Sequence, residues 1–275
     1  MAKWNRGRGL FIVTGLALCS LVIVVSLREH MREQFYMWRL GSHDRAVRHS
    51  AAEALLRSGS ARSVPLLFRA LCATGGNDLH DLSFQTEFRA IVARGQAGIP
   101  YLVSRLALDI EQRLMSLRLL YAVTDEIGEG AREAMPRLVE LIDSRETEAR
   151  ELTIACLNRI GVDPGVDGIR MLAARLHDVE ESVTLRANTL DLLGKTRAAS
   201  EDVINALIHI LEGTNGDLKV MALDVLGQCR VVTTRAVGVV RALCEDQSEE
   251  AIKDAARKAL RAMAAAGRTI EPGSQ

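Results

Sequence analysis

The sequence predicts an all-α protein, a solenoid of stacked antiparallel helix pairs. Of its 275 residues, 48% are apolar but only 4% are aromatic. That composition is apolar enough for a folded chain and too poor in aromatic residues for a typical β-sandwich. Six segments also share one template, in which a polar residue is followed by a basic residue four positions later, a small residue three beyond it, and a leucine four further on. The six are Asp44, Arg48, Ala51, Leu55; Asp109, Arg113, Ser116, Leu120; Glu146, Arg150, Thr153, Leu157; Ser182, Arg186, Thr189, Leu193; Asn215, Lys219, Ala222, Leu226; and Glu249, Lys253, Ala256, Leu260.

The six segments recur at the period of a helical repeat. Their basic residues are 65, 37, 36, 33 and 34 positions apart, and the first interval is wide enough for one degenerate copy. The unit is therefore about 35 residues, which is the length of two helices and their connections. The sequence predicts about six helical hairpins followed by one terminal helix.

The chain before the repeats begins with a basic tip, residues 1–9, and continues into residues 10–27, which are 18 residues without a charge. A helix of that length is about 27 Å long, close to the hydrocarbon thickness of a bilayer. The sequence predicts a transmembrane signal-anchor helix here, and hence a membrane location with a single N-terminal pass. A cleaved secretory signal is the alternative. Basic residues occur on both sides of the segment, so the side of the membrane stays open.

Residues 28–43 are predicted to form a juxtamembrane helix or a cap on the repeats. Leu27, Met31, Phe35 and Trp38 recur at helical spacing and define one apolar face. In the first interpretation Trp38 lies at the bilayer interface. In the second, the same face covers the exposed end of the first repeat.

Residues 44–267 form the predicted solenoid, and residues 268–275 a flexible tail. Second helices begin at Pro65, Pro100 and Pro136, where a first-turn proline is tolerated because its missing N–H has no helical partner. The second repeat keeps its apolar positions but lacks the basic residue, and the loop at residues 72–81 is longer and richer in glycine than the other junctions. The Ala-rich last unit is the predicted terminal cap.

The template explains why hairpins would stack. The small residue and the leucine lie four apart, on one face of the first helix. A small side chain lets a neighbouring helix approach closely, and the leucine fills the space behind it. A single hairpin would leave this face in water, so stability comes from interfaces between neighbours.

The pattern V-R-x-x-A-x-x-A-L, best seen in AVRHSAAEALL, resembles that of HEAT repeats, in particular the short HEAT-like repeats first named for the phycobilisome lyases. The resemblance covers residues 44–266. It implies a right-handed α-solenoid of the ARM/HEAT type, with the second helices on the concave side. It also implies a structural ladder between repeats, which would comprise Asp44, Arg48, Asp109, Arg113, Glu146 and Arg150.

No catalytic, cofactor-binding or metal site is predicted. The G-x-S-x-G, P-loop and dinucleotide-binding motifs are absent. His43, His80 and His177 each precede an Asp, but these pairs fall at repeat junctions where an acid is expected as a helix cap. The family includes phycobilin lyases and the metal-dependent deoxyhypusine hydroxylase, so a HEAT-like enzyme of either type is the alternative function.

The predicted function is a membrane-anchored, non-catalytic scaffold or adaptor that binds a protein partner. Its 35 basic and 35 acidic residues balance, which argues against nucleic acid as the partner. The second helices are rich in arginine, which pairs in plane with carboxylates. The predicted partner contacts are Arg137, Arg170, Arg175 and Arg241. The alternative is a merely solvated face, since arginine outnumbers lysine 30 to 5 throughout the chain.

Overall fold

The computed structural model describes residues 5–74, 85–229, 233–245 and 249–269, leaving out the side chains of residues 5–19, 58, 74 and 266–269. No β-strand occurs in these ranges. The chain divides into two compact units, Met1–Tyr101 and Leu102–Gln275. Most of the predicted loop at residues 72–81, the end of the basic tip at residues 1–4 and the tail from residue 270 lie outside the described residues.

The first unit is built from one long helix and the first hairpins. Its helices are α1 (Asn5–Leu40), α2 (Arg45–Ser58), α3 (Val64–Thr74), α4 (Thr86–Val92) and the start of α5 (Ile99–Arg105). Short 3-10 turns, Ala61–Ser63 and Gly95–Gly98, lead into α3 and α5. Both α1 and α4 pack against α2 and α3. The predicted first hairpin is therefore present, with α1 on one side of it and α4 on the other.

The second unit contains the remaining helices. They are α6 (Ile110–Ile127), α7 (Met135–Glu140), α8 (Thr147–Ile160), α9 (Gly165–His177), α10 (Val183–Thr196), α11 (Glu201–Glu212), α12 (Gly216–Cys229), α13 (Thr234–Glu245) and α14 (Glu250–Thr269). Helices α6, α8, α10, α12 and α14 each pack against the next and form one layer, while α9, α11 and α13 do the same in a second layer. Each of these second helices also packs against the first helix that follows it in the chain. The unit is therefore a stack of helix pairs in chain order, as the repeat period predicts.

The apolar positions of the template form the core between helices. All six small residues are fully buried, and five of the six leucines are too, the exception being Leu260 in the last helix. Four polar residues of the template act as N-caps, because their side chains accept a hydrogen bond from a backbone N–H of the first turn. These are Asp44, Asp109, Ser182 and Asn215.

The template arginines bind the connection that precedes their own helix. Arg48 donates to the carbonyl oxygens of Ser42 and His43, and Arg150 donates to those of Ser144 and Arg145. Arg113 does the same with Leu106 and Leu108. These carbonyls would otherwise lack partners in a bent connection, so each arginine fixes the entry of the chain into its helix.

Two of the arginines also reach the next repeat, as the ladder prediction requires. An Arg113 nitrogen lies 3.6 Å from a Glu146 carboxylate oxygen. Arg150 binds Glu181, the residue before the template position Ser182. In the repeat that begins at Ser182, the acidic residue therefore stands one position before the template position, and Ser182 itself caps the helix.

The last helix, α14, has two distinct faces. Ile252, Ala256, Ala259 and Met263 are buried against the preceding helices, whereas the opposite face is polar. Exposed residues there are Asp254, Arg257, Lys258 and Arg261. A polar outer face is what a terminal repeat presents to water.

The predicted membrane location is wrong. In the ranges that the structure describes, no helix is both long and apolar enough to cross a bilayer. The predicted anchor, residues 10–27, is part of α1, but the described side chains of α1 begin at Ser20.

The face of α1 that packs on the first hairpin differs from the predicted one. Met37 and Leu40 are buried, at 9% and 4% exposure, and the Glu33 carboxylate accepts a hydrogen bond from the Ser60 backbone N–H at 2.8 Å. The predicted apolar face, which includes Met31 and Trp38, is exposed instead. Sequence analysis did not find this packing face because one of its contacts is the polar Glu33 and its apolar residues do not recur at a strict helical period.

Candidate interaction surface

The second helices of the second unit expose one face to solvent. On α9, Ile169, Leu172 and Leu176 are buried, while Arg170 and His177 are exposed. The same division holds on α11 and α13, where the apolar residues point to the first layer of helices. The predicted partner-binding arginines lie on these helices or on the shorter α7.

Two of the predicted arginines form local ion pairs on the surface. Arg137 on α7 binds Glu140, three residues later, and Arg170 on α9 lies 2.6 Å from Asp167, three residues earlier. The four side chains are all well exposed. Pairs of this kind contribute only a few tenths of a kcal/mol, so a partner's carboxylate can replace the local one at little cost.

Arg175 has a different environment. It lies in an ion network with Glu181, whose side chain is 0% exposed, and with Arg150 on α8, the other helix of its own pair. Asp143 and Asp178 lie 3.4 and 3.6 Å from the Arg175 guanidinium. The charge of this arginine is therefore already paired with carboxylates inside the protein.

The four arginines do not converge on one point. Arg170 and Arg175 share α9, while Arg241 is exposed on α13, with α11 packed between those two helices. None of the described side chains forms an ion pair with Arg241. The arrangement suits an extended contact rather than a single anion-binding pocket.

Two histidines that sequence analysis did not connect meet on this surface. The rings of His177 on α9 and His209 on α11 have centroids 5.1 Å apart, tilted by 32°. Partial desolvation of the imidazole ring lowers the pKa of His177, the neighbouring His209 lowers it further, and Asp202 opposes both effects. The available signal was their separation of 32 residues, about one repeat, which places them at equivalent positions of successive second helices.

We expect the His177 pKa, measured by NMR titration, to lie below its ordinary value of about 6.5 and to rise in a His209→Asn variant. Since the folded protein disfavours protonated His177, the unfolded chain binds more protons. The free energy of unfolding should therefore fall as the pH drops through about 6.5. His49→Asn, at an exposed histidine in the first unit, is the control. A His177 titration unchanged by His209→Asn would contradict the assigned role of that neighbour.

Other reactive groups lie away from this surface. Cys156 is fully buried in α8, and burial raises its pKa to about 12, so it is held as a neutral thiol. Its Sγ lies 3.8 Å from the Leu117 carbonyl oxygen on α6. Across the described residues, His, Cys, Asp and Glu form no group of three or more that could hold a metal ion.

Solved structures similar to this chain are helical repeat proteins. An engineered protein aligns over 86% of this chain and 97% of its own, with a TM-score of 0.52 and 19% identity. A computationally designed armadillo repeat protein for modular peptide recognition aligns over 82% and 98%, with a TM-score of 0.52 and 17% identity. A designed armadillo repeat protein in complex with the peptide (KR)4 aligns over 83% and 98%, with a TM-score of 0.51 and 15% identity.

No protein-family model matches the chain, and no curated protein matches it. The structural likeness, at under one fifth identity, concerns the fold. The prediction of an α-solenoid is confirmed in this form: the chain folds as a helical repeat protein similar to armadillo repeat structures.

Proposed function

We propose that this protein is a non-catalytic scaffold that binds another protein along the exposed face of its second helices. The observation that carries the proposal is the two-layer stack of the second unit, in which each helix pair adds another strip of surface. Such stacks provide broad contact areas, which suit extended protein segments.

We further propose that the repeats are of the HEAT-like class. The V-R-x-x-A-x-x-A-L pattern, at residues 47–55, falls on α2, the first helix of the first hairpin. In the second unit the basic, small and leucine positions of the template also fall on first helices. Arg113 and Arg150 also make the contacts to the next repeat that the resemblance implies.

The nature of the partner is supported by the structural neighbours. One neighbour was designed for modular peptide recognition, and another holds the peptide (KR)4. Both are designed proteins with a similar fold, so they support a peptide or protein as the ligand class without naming its sequence.

The proposed contacts are Arg137, Arg170, Arg175 and Arg241. Arg137 and Arg170 would exchange their exposed local carboxylates for those of the partner. Arg241 is exposed on α13 and would pair directly. Arg175 would contribute through its solvent-facing edge while it remains bound to Glu181.

The test compares three baits in cells by crosslinking and mass spectrometry, followed by binding measurements with the purified partner. The baits are the full chain, a test variant with Arg137→Ser, Arg170→Ser and Arg241→Ser, and a control variant with Arg145→Ser, Arg197→Ser and Arg261→Ser. The control removes the same charge from exposed positions of the second unit that lie off the second helices. Arg175 is kept because its loss would disturb the fold.

We expect a protein that is captured in stoichiometric amount by the full chain and the control, and at least fivefold less by the test variant. The purified partner should show the same difference in Kd. Equal capture by both variants would remove the arginine contacts from the proposal. Failure of the full chain to bind any protein would overturn the scaffold function itself.

A further inference from the structure

We propose that the exposed apolar face of α1 is a docking site for an amphipathic helix of a partner protein that carries acidic residues along one edge. We call this face the α1 stripe and define it as Val24, Leu27, Met31, Phe35 and Trp38. The inference rests on the proposed scaffold function and adds to it a second binding surface, located in the first unit and distinct from the arginine-bearing second helices.

The geometry of α1 separates this face from the one that packs on the hairpin. At about 100° per residue, the α1 stripe covers an arc of about 80° on the helix. Met37, Leu40 and Glu33, which contact the first hairpin, lie on the opposite side of the helix. The stripe is therefore available while α1 remains packed against α2 and α3.

The side chains of the α1 stripe are unusually exposed for their size. Met31 and Trp38 are 70% and 75% exposed, and Val24, Leu27 and Phe35 are each more than half exposed. Val24, Leu27, Met31 and Phe35 together form an open apolar surface along one side of α1. From Val24 to Trp38 the stripe is about 21 Å long, enough for about four turns of a bound helix. Contiguous apolar surface of this kind marks an interaction site.

The charges beside the α1 stripe indicate the chemistry of the occupant. Arg28, Arg32 and Arg39 fall along one border of the stripe, and the first two lie next to its apolar side chains. The Arg39 guanidinium lies 5.7 Å from the centre of the Phe35 ring. Of the three, Arg32 approaches Glu29, at 3.4 Å between exposed side chains, which is a weak pair. This border would be matched by carboxylates on the partner helix.

The opposite border argues against a second copy of the chain as the occupant. It carries His30 and Gln34, which offer no carboxylate. Two antiparallel copies of α1 would bring the arginine borders together, and two parallel copies would place arginine against His30 and Gln34. An apolar helix with an acidic edge matches both the apolar α1 stripe and its arginine border, so that the two helices would pack side by side.

The test uses the purified full chain and two labelled helical peptides of three heptads, with binding followed by fluorescence anisotropy. Both peptides have leucine at a and d positions; one has glutamate and the other lysine at the flanking positions. The test variant is Met31→Gln with Phe35→Gln, and Arg28→Gln with Arg32→Gln tests the charge separately. The control, Val166→Gln with Val179→Gln, alters two exposed valines of the second unit. Because all these side chains are exposed, we expect circular dichroism and Tm to stay unchanged.

We expect the glutamate peptide to bind at least tenfold more tightly than the lysine peptide. The Met31→Gln/Phe35→Gln variant should lose at least tenfold in affinity, and the Arg28→Gln/Arg32→Gln variant should lose the discrimination between peptides. The control should bind like the original chain, and the preference should shrink between 50 and 500 mM NaCl.

Three results would overturn the proposal. One is equal binding of the two peptides. Another is self-association of the chain, detected by light scattering and abolished by Met31→Gln/Phe35→Gln. The third is binding to vesicles of 3:1 phosphatidylcholine and phosphatidylglycerol without peptide binding. If the chain captures a partner in cells but neither peptide binds the α1 stripe, the scaffold function stands and this surface does not serve it.

Discussion

Replacing Glu181 by alanine should lower the free energy of unfolding of the second unit by about 3 to 5 kcal/mol. The Glu181 side chain is 0% exposed and binds two arginines, with an Arg150 Nη–Oε distance of 2.8 Å and an Arg175 Nη–Oε distance of 3.2 Å. Arg150 and Arg175 lie on the two helices of one repeat, and Glu181 lies in the connection to the next repeat. Their half-buried guanidinium groups would be left without a counter-charge, which accounts for the large effect.

Glu140→Ala is the matched control, because it removes a carboxylate from an arginine pair on the surface. Glu140 and Arg137 have side chains that are 57% and 40% exposed. Such a pair contributes less than about 0.5 kcal/mol. Urea denaturation followed by circular dichroism measures both variants. Similar losses in the two would mean that burial of Glu181 does not matter to stability.

Leu193→Ala should be the second large effect, a loss of about 3 kcal/mol in the free energy of unfolding. Leu193 is fully buried in α10, a first-layer helix that packs between α8 and α12. Truncation removes its apolar contacts and leaves a cavity that two neighbouring helices can only partly fill.

The equivalent substitution in the last unit, Leu260→Ala, is the control for Leu193. Leu260 has the same template position in α14 but is only half-buried. We expect a loss of about 1 kcal/mol there. The comparison uses the same denaturation experiment. An equal loss at both positions would contradict the idea that burial between neighbouring repeats gives the template leucine its effect.

Much of the fold could be predicted because the small residue and the leucine of the template are the residues that form the contacts between helices. Ala51, Thr153 and Ala222 lie where small residues were expected, and all are fully buried. Spacing alone identifies them, since a helix that repeats the same interface must repeat the same small side chain. The N-caps at Asp109 and Ser182 follow from local chemistry in the same way.

The interaction surface was less predictable because its contacts join residues that no short pattern links. Arg175 looked like a free surface charge, but its main partner, Glu181, lies beyond the end of α9, in the connection to α10. The pair Asp167–Arg170 is different, since a spacing of three on a helix could have revealed it. His177 and His209 meet only because α9 and α11 pack side by side.

The N-terminal helix shows the limit of composition as a guide. An uncharged segment of 18 residues predicted a membrane anchor, yet α1 continues past it without interruption to Leu40 and packs on the first hairpin. Hydropathy describes a segment alone and does not register that its continuation has a folded surface to bind. The packing residues Met37 and Leu40 share their side of α1 with the charged Glu33, so no continuous apolar face marked them.

Each template arginine forms its hydrogen bonds with the connection just before its own helix. These local bonds affect how a chain of such repeats can gain or lose a repeat. Arg48, Arg113 and Arg150 find their carbonyl partners within seven residues of themselves. A helix pair therefore brings along the bonds that shape its own entry. Duplication or deletion of a whole helix pair would leave the arginine–carbonyl hydrogen bonds within every other pair intact. Only the interfaces at the new junction would need to adapt.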